Sequence, residues 1–257
     1  MRSALAFIIV LLCCSVSSSG IDLDIRLFPL SDADQQPSAA PLSGASKASP
    51  TPANLGAAHS TTIDAAALQE MLGGADGQLQ HWRRVPDLLV LTSVMEYHDG
   101  EPNSYVATAE KLTEKEVDDL VGDLTSALAL MTGDAFQRFG AVKVELVAEG
   151  MSTRVLRPGQ IVAGRYRNVQ EIAHMIGLGG RASRPDGTIT GAAIILDSEF
   201  DRSSARRRLL RTHELGHALG YNHVQSRVSI MNPSLGPEPT PFDREAAIVA
   251  FHTNRPQ

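Results

Sequence analysis

The sequence predicts an α+β fold in which a twisted mixed β-sheet is backed by helices. Short, β-rich apolar runs alternate with longer segments whose apolar residues recur at helical spacing, in the order β-α-β-β-β-α-α. The composition is that of an ordinary globular protein: 43% of the 257 residues are hydrophobic and 20% are charged. This length is enough for one large domain with additional tails.

The N-terminus has the pattern of an export signal. Arg2 supplies a positive start, residues 4–14 (ALAFIIVLLCC) form an apolar segment, and the small residues SVSSSG follow it. We therefore expect residues 1–20 to be a signal peptide and the protein to be secreted. The apolar segment is too short to span a bilayer, so no stable membrane insertion is expected. The alternative is a lipoprotein anchor through Cys13 or Cys14, although both lack the small preceding residue of such anchors.

Residues 21–80 are expected to be a low-complexity linker or pro-segment. Within them, residues 30–62 are rich in Pro, Ala, Ser and Gly and poor in large apolar side chains. Such a stretch cannot bury enough surface to offset the entropy lost on ordering. A short helix is predicted at 63–72, where Gly73 and Gly74 end it. Whether this segment is removed or confers latency stays open.

The folded domain is predicted to span residues 81–257. Thr113 and Glu116 form a capping box for a helix whose apolar residues recur at helical spacing as far as Gly133. Apolar or alternating runs of strand length are found at 87–97, 141–148, 160–166 and 191–197. The alternation at 141–148 predicts a half-buried strand.

Two further helices are predicted in the C-terminal part. Ser203 or Ser204 is expected to cap a helix that ends at Gly220, because glycine readily adopts the left-handed conformation found after helix ends. The last helix is expected to begin at Thr240 and Pro241, since proline is favoured at the first helical position.

The segment HELGHALGYNH, residues 213–223, combines three histidines with a glutamate. His213 and His217 are four residues apart on the predicted helix, so their imidazoles project from nearly the same face and can reach one metal ion. The turn at Gly220 brings the chain back and delivers His223 as a third ligand. Three neutral imidazoles leave one coordination position open, as in a catalytic rather than a structural zinc site. Glu214 can reach a water there without binding the metal.

Chance does not easily produce this spacing. H-E-x-x-H alone is expected in roughly one chain in a hundred of this composition, and the addition of Gly220 and His223 lowers this to the order of a few in a hundred thousand. The alternative is that the histidines only cap or pack a helix end.

The spacing H-E-x-x-H-x-x-G-x-x-H followed by a methionine turn is the signature of the metzincin clan of zinc metalloproteases. The chain resembles this clan, and within it the matrixins, over roughly residues 85–255, most specifically over 176–252. SIMNP (229–233) supplies the methionine turn. The resemblance implies a metzincin-like fold in which Met231 lies beneath a zinc ion that His213, His217 and His223 hold.

The chain departs from the matrixin pattern in three respects. The segments GGRAS and AAIILD lack the histidines that hold a structural zinc, so a single catalytic zinc is expected. The calcium-binding acidic pair is only partly present, as Asp197 with Phe200 three residues later and Glu199 at a different spacing, so calcium is left open. The cysteine that confers latency on many matrixins is absent, because both cysteines lie in the expected signal peptide.

The other histidines and charged runs are interpreted structurally. His174 stands alone and is more typical of a structural histidine than of a ligand. The basic run at 202–211 is expected to be a solvated helix face. Asp243 is expected to cap the last helix. Four further histidines have no metal spacing with any neighbour: His59, His81, His98 and His252.

Together these features predict a secreted zinc metalloendopeptidase, a hydrolase in which Glu214 acts as the general base. We expect a monomer whose partner is a protein or peptide substrate, and the net charge of −6 argues against nucleic-acid binding. By resemblance, an extended substrate pairs with an edge strand near 179–183. The segment 232–242 then walls the pocket for the residue after the cleaved bond.

Two alternatives stay open. The same zinc core suits an aminopeptidase or a narrow processing peptidase, which differ in whether the substrate needs a free N-terminus. A secreted zinc-binding module without turnover is the other alternative, although Glu214 argues against it.

Overall fold

The computed structural model describes residues 24–30, 64–73, 79–98 and 103–253. Within these ranges the chain forms nine β-strands, six α-helices and a terminal π-helical turn, and the strands belong to one mixed sheet. This mixed architecture agrees with the predicted α+β class. The expected signal peptide and most of the low-complexity stretch 30–62 lie outside the described residues. None of the described helices is both long and apolar enough to cross a membrane.

The elements follow each other in a regular alternation. The strands are β1 (Asp24–Leu30), β2 (Asp87–Leu91), β3 (Ser93–Glu96), β4 (Ser104–Lys111), β5 (Val142–Glu145), β6 (Ser152–Arg154), β7 (Gln160–Arg167), β8 (Gly177–Ser183) and β9 (Ile189–Asp197). The helices are α1 (Ala65–Leu72), α2 (Glu114–Met131), α3 (Val169–Ala173), α4 (Ser198–Ser203), α5 (Arg207–Leu219) and α6 (Pro241–Ile248), followed by the π-helical turn at Val249–Thr253.

The sheet is centred on β7. Its main path runs β1-β8-β9-β7-β3-β4-β6, and β2 pairs with both β7 and β5. β7 is parallel to β2, β3 and β9, whereas β8 is antiparallel to both β9 and β1. The strand predicted at 87–97 is divided at Thr92, whose backbone amide donates to the Glu145 carbonyl, 2.9 Å away, instead of continuing along β7.

Burial separates the central strands from the sheet margin. β7 and β9 are buried along almost their whole length, which explains their nearly continuous apolar sequences. The run at 141–148 was predicted to be a half-buried strand, and this is wrong: Val142 and Val144 of β5 are 47% and 57% exposed. The cause is position, because β5 pairs only with β2 and no described helix covers it.

The helices divide the core between the two faces of the sheet. One apolar cluster joins alternate residues of the central strands to buried residues of α1, α2, α5 and α6. A second, smaller cluster lies on the opposite face and includes Tyr105, Tyr166 and Val169. The four larger helices therefore cover one face, and His213 and His217 are on the helix that contacts β8 and β9 there.

Helix boundaries show where the sequence signals were sufficient. The capping boxes of α2 (Thr113 with Glu116) and α6 (Thr240 with Asp243) are both present, and Pro241 is at the start of α6. The helix predicted at 63–72 is confirmed as α1, whose buried residues join the main core. The predicted cap at Ser203 or Ser204 is wrong, because residues 198–203 form the separate helix α4 and Arg206 precedes α5.

Candidate metal centre

Helix α5 supplies the first two histidines from a buried position. His213 and His217 have no solvent exposure, and the distance between their Nε2 atoms is 2.9 Å. Gly220 ends the helix with φ +121°, a conformation that side-chain-bearing residues rarely adopt. A Cβ atom at this position would lie 2.4 Å from the Gln80 carbonyl oxygen, so the close approach also requires glycine.

The turn after Gly220 brings the third histidine to the same point. The Nε2 atoms of His217 and His223 are 3.1 Å apart. Three nitrogen ligands around a tetrahedral zinc ion lie about 3.3 Å from one another when each bond is about 2.0–2.1 Å. Among the described residues, His213, His217 and His223 are the one group of three or more His, Cys, Asp or Glu side chains close enough together to hold a metal ion.

Hydrogen bonds on the far side of two rings orient their lone pairs inward. The Nδ1 atom of His213 is 2.6 Å from the Ile230 carbonyl oxygen, and that of His217 is 2.9 Å from the Tyr221 carbonyl oxygen. A carbonyl oxygen only accepts, so both Nδ1 atoms carry hydrogen and, in the neutral rings, both Nε2 atoms do not. Such outer carbonyl partners are typical of metal-bound histidines, because they fix the ring and its tautomer.

The converging lone pairs repel one another unless a cation lies between them. Burial makes protonation of the histidine rings unfavourable, so protons do not fill this role. Burial, together with a smaller effect of the nearby His223, lowers the pKa of His213 to about 3. Burial also lowers the pKa of His223 to about 4 and that of His217 well below its usual value. At neutral pH the rings are therefore unprotonated, which is the state that binds a metal ion.

Glu214 follows His213 on α5 and contributes a buried carboxylate whose one nearby donor is the Gly179 amide. Its side chain is fully buried, and neither carboxylate oxygen has a hydrogen-bond partner at good geometry. Burial raises its pKa well above the usual value, and the Gly179 amide offsets only part of this effect. A buried, unpaired carboxylate is costly unless a cation or a hydrogen-bond donor lies next to it. The three histidines thus fit a bound cation, and a cation there would offset part of the cost of burying this carboxylate.

Two glycines of β8 create the space for this carboxylate. A Cβ atom at Gly177 would lie 2.6 Å from one Glu214 oxygen, and a Cβ atom at Gly179 would lie 2.9 Å from the other. The same Cβ at Gly179 would be 2.5 Å from the Cβ of His217. Any side chain at either position would therefore displace the glutamate or the helix that carries it.

Met231 of the methionine turn packs against α5 between the first two histidines. Met231 is fully buried, and a Cβ atom on Gly216 would lie 2.4 Å from its sulfur, so the thioether packs against the helix between the two histidines. Asp243 caps α6 as expected, and it also accepts a hydrogen bond from the Ile230 amide, 3.1 Å away. Through that contact α6 supports the residue whose carbonyl orients His213.

Arg181 of β8 supports the end of the helix, and the sequence did not predict this. Its guanidinium is fully buried and donates to the carbonyl oxygens of His217 at 2.9 Å and Tyr221 at 3.1 Å. It also donates to Asn222 and Gln80. A cation at a helix C-terminus is favourable, because the last carbonyls lack intrahelical partners.

The remaining histidines lie apart from the group. His174 ends α3 with φ +56° and does not join any cluster among the described residues. His81, His98 and His252 each lie within hydrogen-bond distance of a backbone carbonyl oxygen, at 3.3, 2.9 and 2.7 Å respectively. His59 lies outside the described residues.

The basic run at 202–211 is not a solvated helix face throughout, so that prediction is wrong in part. The Arg211 side chain is 1% exposed and forms ion pairs with Asp201 and Asp123. Arg202 is 44% exposed and agrees with the expectation. The difference arises because Arg211 faces Asp201 of α4 and Asp123 of α2, whereas Arg208 in the first turn of α5 is exposed.

Asp197, half of the partial calcium pair, acts as a helix cap. Its carboxylate accepts a hydrogen bond of 2.9 Å from the Phe200 amide at the start of α4. Burial raises its pKa above the usual value. No second group of three potential ligands includes it among the described residues.

The outer edge of β8 is covered by the chain itself. β1 runs antiparallel along it, with Asp24 opposite Ser183 and Leu30 opposite Gly177. This edge is where an extended substrate was expected by resemblance.

A comparison with known protein families finds no match, and neither does a comparison with curated proteins. The chemistry of the site therefore follows from its own atoms: a buried group of three histidines that can bind a metal ion, beside a buried carboxylate.

Proposed function

We propose that the protein is a secreted zinc-dependent endopeptidase of the metzincin clan, similar to the matrixins. The observation that carries this proposal is the fully buried carboxylate of Glu214, which has no hydrogen bond of good geometry, on the same helix as two of the three converging histidines. A purely structural metal site does not require a buried base. A hydrolytic site needs one, because a proton must leave the attacking water.

His213, His217 and His223 would hold the metal ion. Three imidazoles suit several transition metals, and zinc is the usual choice where three protein ligands leave a position open for reaction. Bound zinc would supply Lewis-acid chemistry, lowering the pKa of water and polarising the scissile carbonyl.

Glu214 moves the proton. It would accept a proton from the attacking water and pass it to the leaving amine as the peptide bond breaks. Burial raises its pKa well above the usual value, which makes the carboxylate a stronger proton acceptor than a solvent-exposed glutamate. The two glycines of β8 opposite Glu214 leave space for its carboxylate.

The substrate would bind as an extended strand along β8. Strand addition provides backbone hydrogen bonds without regard to side chain, which suits an endopeptidase. In this proposal β1 competes with the substrate, because it pairs with the same edge over Gly177–Ser183. The segment 232–242 would wall the pocket beyond the cleaved bond, where the buried Phe242 ring has the Arg227 guanidinium 4.4 Å above it.

The test is Glu214→Gln, which keeps the size of the side chain and removes the base. Protein purified without added metal should contain about one equivalent of zinc in both parent and variant, since three histidines remain. Cleavage of an internally quenched peptide should fall by about 10²–10⁴-fold, the usual contribution of proton transfer. A chelator should abolish the parent's activity, and zinc should restore it.

Three other outcomes would change the proposal. Near-parental turnover in Glu214→Gln would exclude the glutamate as the base. Cleavage of free but not N-terminally blocked peptides would indicate an aminopeptidase, and cleavage confined to one sequence a processing peptidase. A parent that binds zinc and cleaves no peptide would indicate a binding module.

A further inference from the structure

We propose that Asn222 is a positioning residue for the third metal ligand, and that helix α1 holds in place the turn that carries this ligand. The inference rests on the metal centre of the proposed function and does not require peptide hydrolysis. Neither Asn222 nor α1 was singled out by the sequence for this role.

Asn222 immediately precedes His223 and is held from three directions. Its backbone amide donates to the Met71 carbonyl at 2.9 Å, and its side-chain amide donates to the Gly73 carbonyl at 2.5 Å. Its side-chain oxygen accepts a hydrogen bond of 2.9 Å from Arg181. These three hydrogen bonds join the end of α1 to β8 through the residue before the ligand.

Glu70 of α1 holds the other side of the same turn. One carboxylate oxygen accepts from the Gln225 amide at 2.7 Å, and the other accepts from the Ser226 amide at 3.2 Å and the Ser226 hydroxyl at 2.6 Å. These hydrogen bonds lower the pKa of Glu70 against a raising effect of burial. Helix α1 and the residue that follows it therefore hydrogen-bond to the turn both before and after His223.

The turn needs such support because His223 is the one ligand that no helix fixes. His213 and His217 are held by the backbone of α5, whereas the chain after Gly220 has no regular structure as far as the methionine turn. Ordering a free loop costs conformational entropy, so a loop that was not already fixed would weaken metal binding. Contacts that preorganise a ligand are commonly worth about 10–100-fold in metal affinity.

Helix α1 is itself anchored in the hydrophobic core. Ala67 and Met71 have no solvent exposure, and Asp64 caps the helix by accepting from the amides of Ala66 and Ala67. The helix is thus anchored independently of the turn. Its carbonyls and carboxylate present a fixed surface to residues 222–226.

The experiment measures the affinity of the full chain for Zn²⁺ by competition with a chromophoric chelator, with no substrate present. Asn222→Ala and Glu70→Ala should each weaken zinc binding by about 10–100-fold. Glu70→Gln keeps one acceptor oxygen and should recover part of the loss. Hydrogen exchange of the metal-free protein should be faster at 222–226 in both alanine variants.

Asn103→Ala is the matched control. The Asn103 side-chain oxygen accepts from two consecutive backbone amides, Val155 at 3.1 Å and Leu156 at 2.6 Å, and these lie next to β6 at the far margin of the sheet. This variant loses the same kind of contact and should keep parental zinc affinity.

The inference is overturned if the Asn222 and Glu70 variants lose stability to urea as the control does and bind zinc as tightly as the parent. That result would make the contacts ordinary structural support. Glu70→Gln guards against a folding failure, since it keeps the side-chain shape at a partly exposed position. Because affinity is measured without peptide, failure of this inference and failure of the peptidase proposal come from different experiments.

Discussion

Replacing Gly220 by alanine should damage the metal site through a single added methyl group. This glycine lies where α5 ends and the chain turns towards His223. Its φ of +121° lies well outside the left-handed region that other residues can enter. In addition, the new Cβ atom would lie 2.4 Å from the Gln80 carbonyl oxygen, which is closer than a real Cβ contact.

Two effects contribute to the expected size of the loss. Placing a side-chain-bearing residue at positive φ costs about 1–2 kcal/mol. Forcing extra volume into packed structure costs about 1–3 kcal/mol more. The second cost is hard to relax here, because the Gln80 side chain is itself bonded to Arg181 and, at 3.1 Å, to Ser183. The free energy of unfolding should therefore fall by roughly 2–5 kcal/mol in total.

Gly150→Ala separates the two effects. Gly150 also has a positive φ, +76°, but nothing lies within 4 Å of the atom that alanine would add. This control should lose only the backbone cost. Urea unfolding of the metal-free protein can be followed by the fluorescence of Trp82, the single tryptophan, whose indole donates to the Ala218 carbonyl of α5 at 2.9 Å.

Zinc affinity provides the functional part of this test. Gly220→Ala should bind zinc more weakly than the parent, because the turn delivers His223, whereas Gly150→Ala should not change the affinity. Equal losses of stability in the two variants, together with parental zinc binding in both, would refute the reasoning that the turn geometry controls the third ligand.

Three further predictions concern the surroundings of the site. Asp201→Asn should lower the free energy of unfolding in urea by about 3–5 kcal/mol, because it leaves the buried guanidinium groups of Arg165 and Arg211 without their shared carboxylate; a loss no larger than that of a surface pair would contradict this. Burial raises the pKa of Glu116, but hydrogen bonds from the Thr113 backbone and from Arg165 outweigh it and hold the pKa at about 2 instead of 4.5. The stability that Glu116 contributes should therefore be complete above about pH 4.5 and be lost as the pH falls towards 2, and Glu116→Gln should flatten the acid side of the unfolding profile. Under the proposed function, deletion of residues 24–30 should free the β8 edge and raise the rate of peptide cleavage; an unchanged rate would mean that substrates pair elsewhere.

Local signals in the sequence were sufficient where one residue controls one feature. The histidine spacing predicted three side chains that the fold brings together, and Gly220 predicted the turn between the second and the third. The capping boxes predicted the starts of α2 and α6, since a cap is satisfied within four residues of chain. The caps and the pairing of His213 with His217 depend on helix geometry alone, whereas the contacts that hold the turn before His223 come from α1 and β8 and could not be predicted locally.

Features that depend on distant pairing could not be predicted in the same way. β4 and β6 lie at the sheet margin with mixed or polar sequences, and only their partners make them strands. The exposure of Val142 follows from the place of β5 in the sheet, which an alternating sequence does not specify. The burial of Arg211 likewise depends on Asp201 from another helix, so its position in a basic run was misleading.

The order of residues in β8, Gly177-Leu178-Gly179-Gly180-Arg181, has a role that only the tertiary structure reveals. Side chains of a strand alternate between its faces, so residues 177, 179 and 181 all point towards α5. They meet the helix in order: Gly177 and Gly179 leave room for Glu214, and Arg181 bonds the carbonyls at the helix end. A slip of one residue in this register would direct Leu178 into the space of the carboxylate and turn the arginine away from the helix end. The order glycine, glycine, arginine at alternate positions is thus what allows one strand to accommodate the base and to support the turn that carries the third ligand.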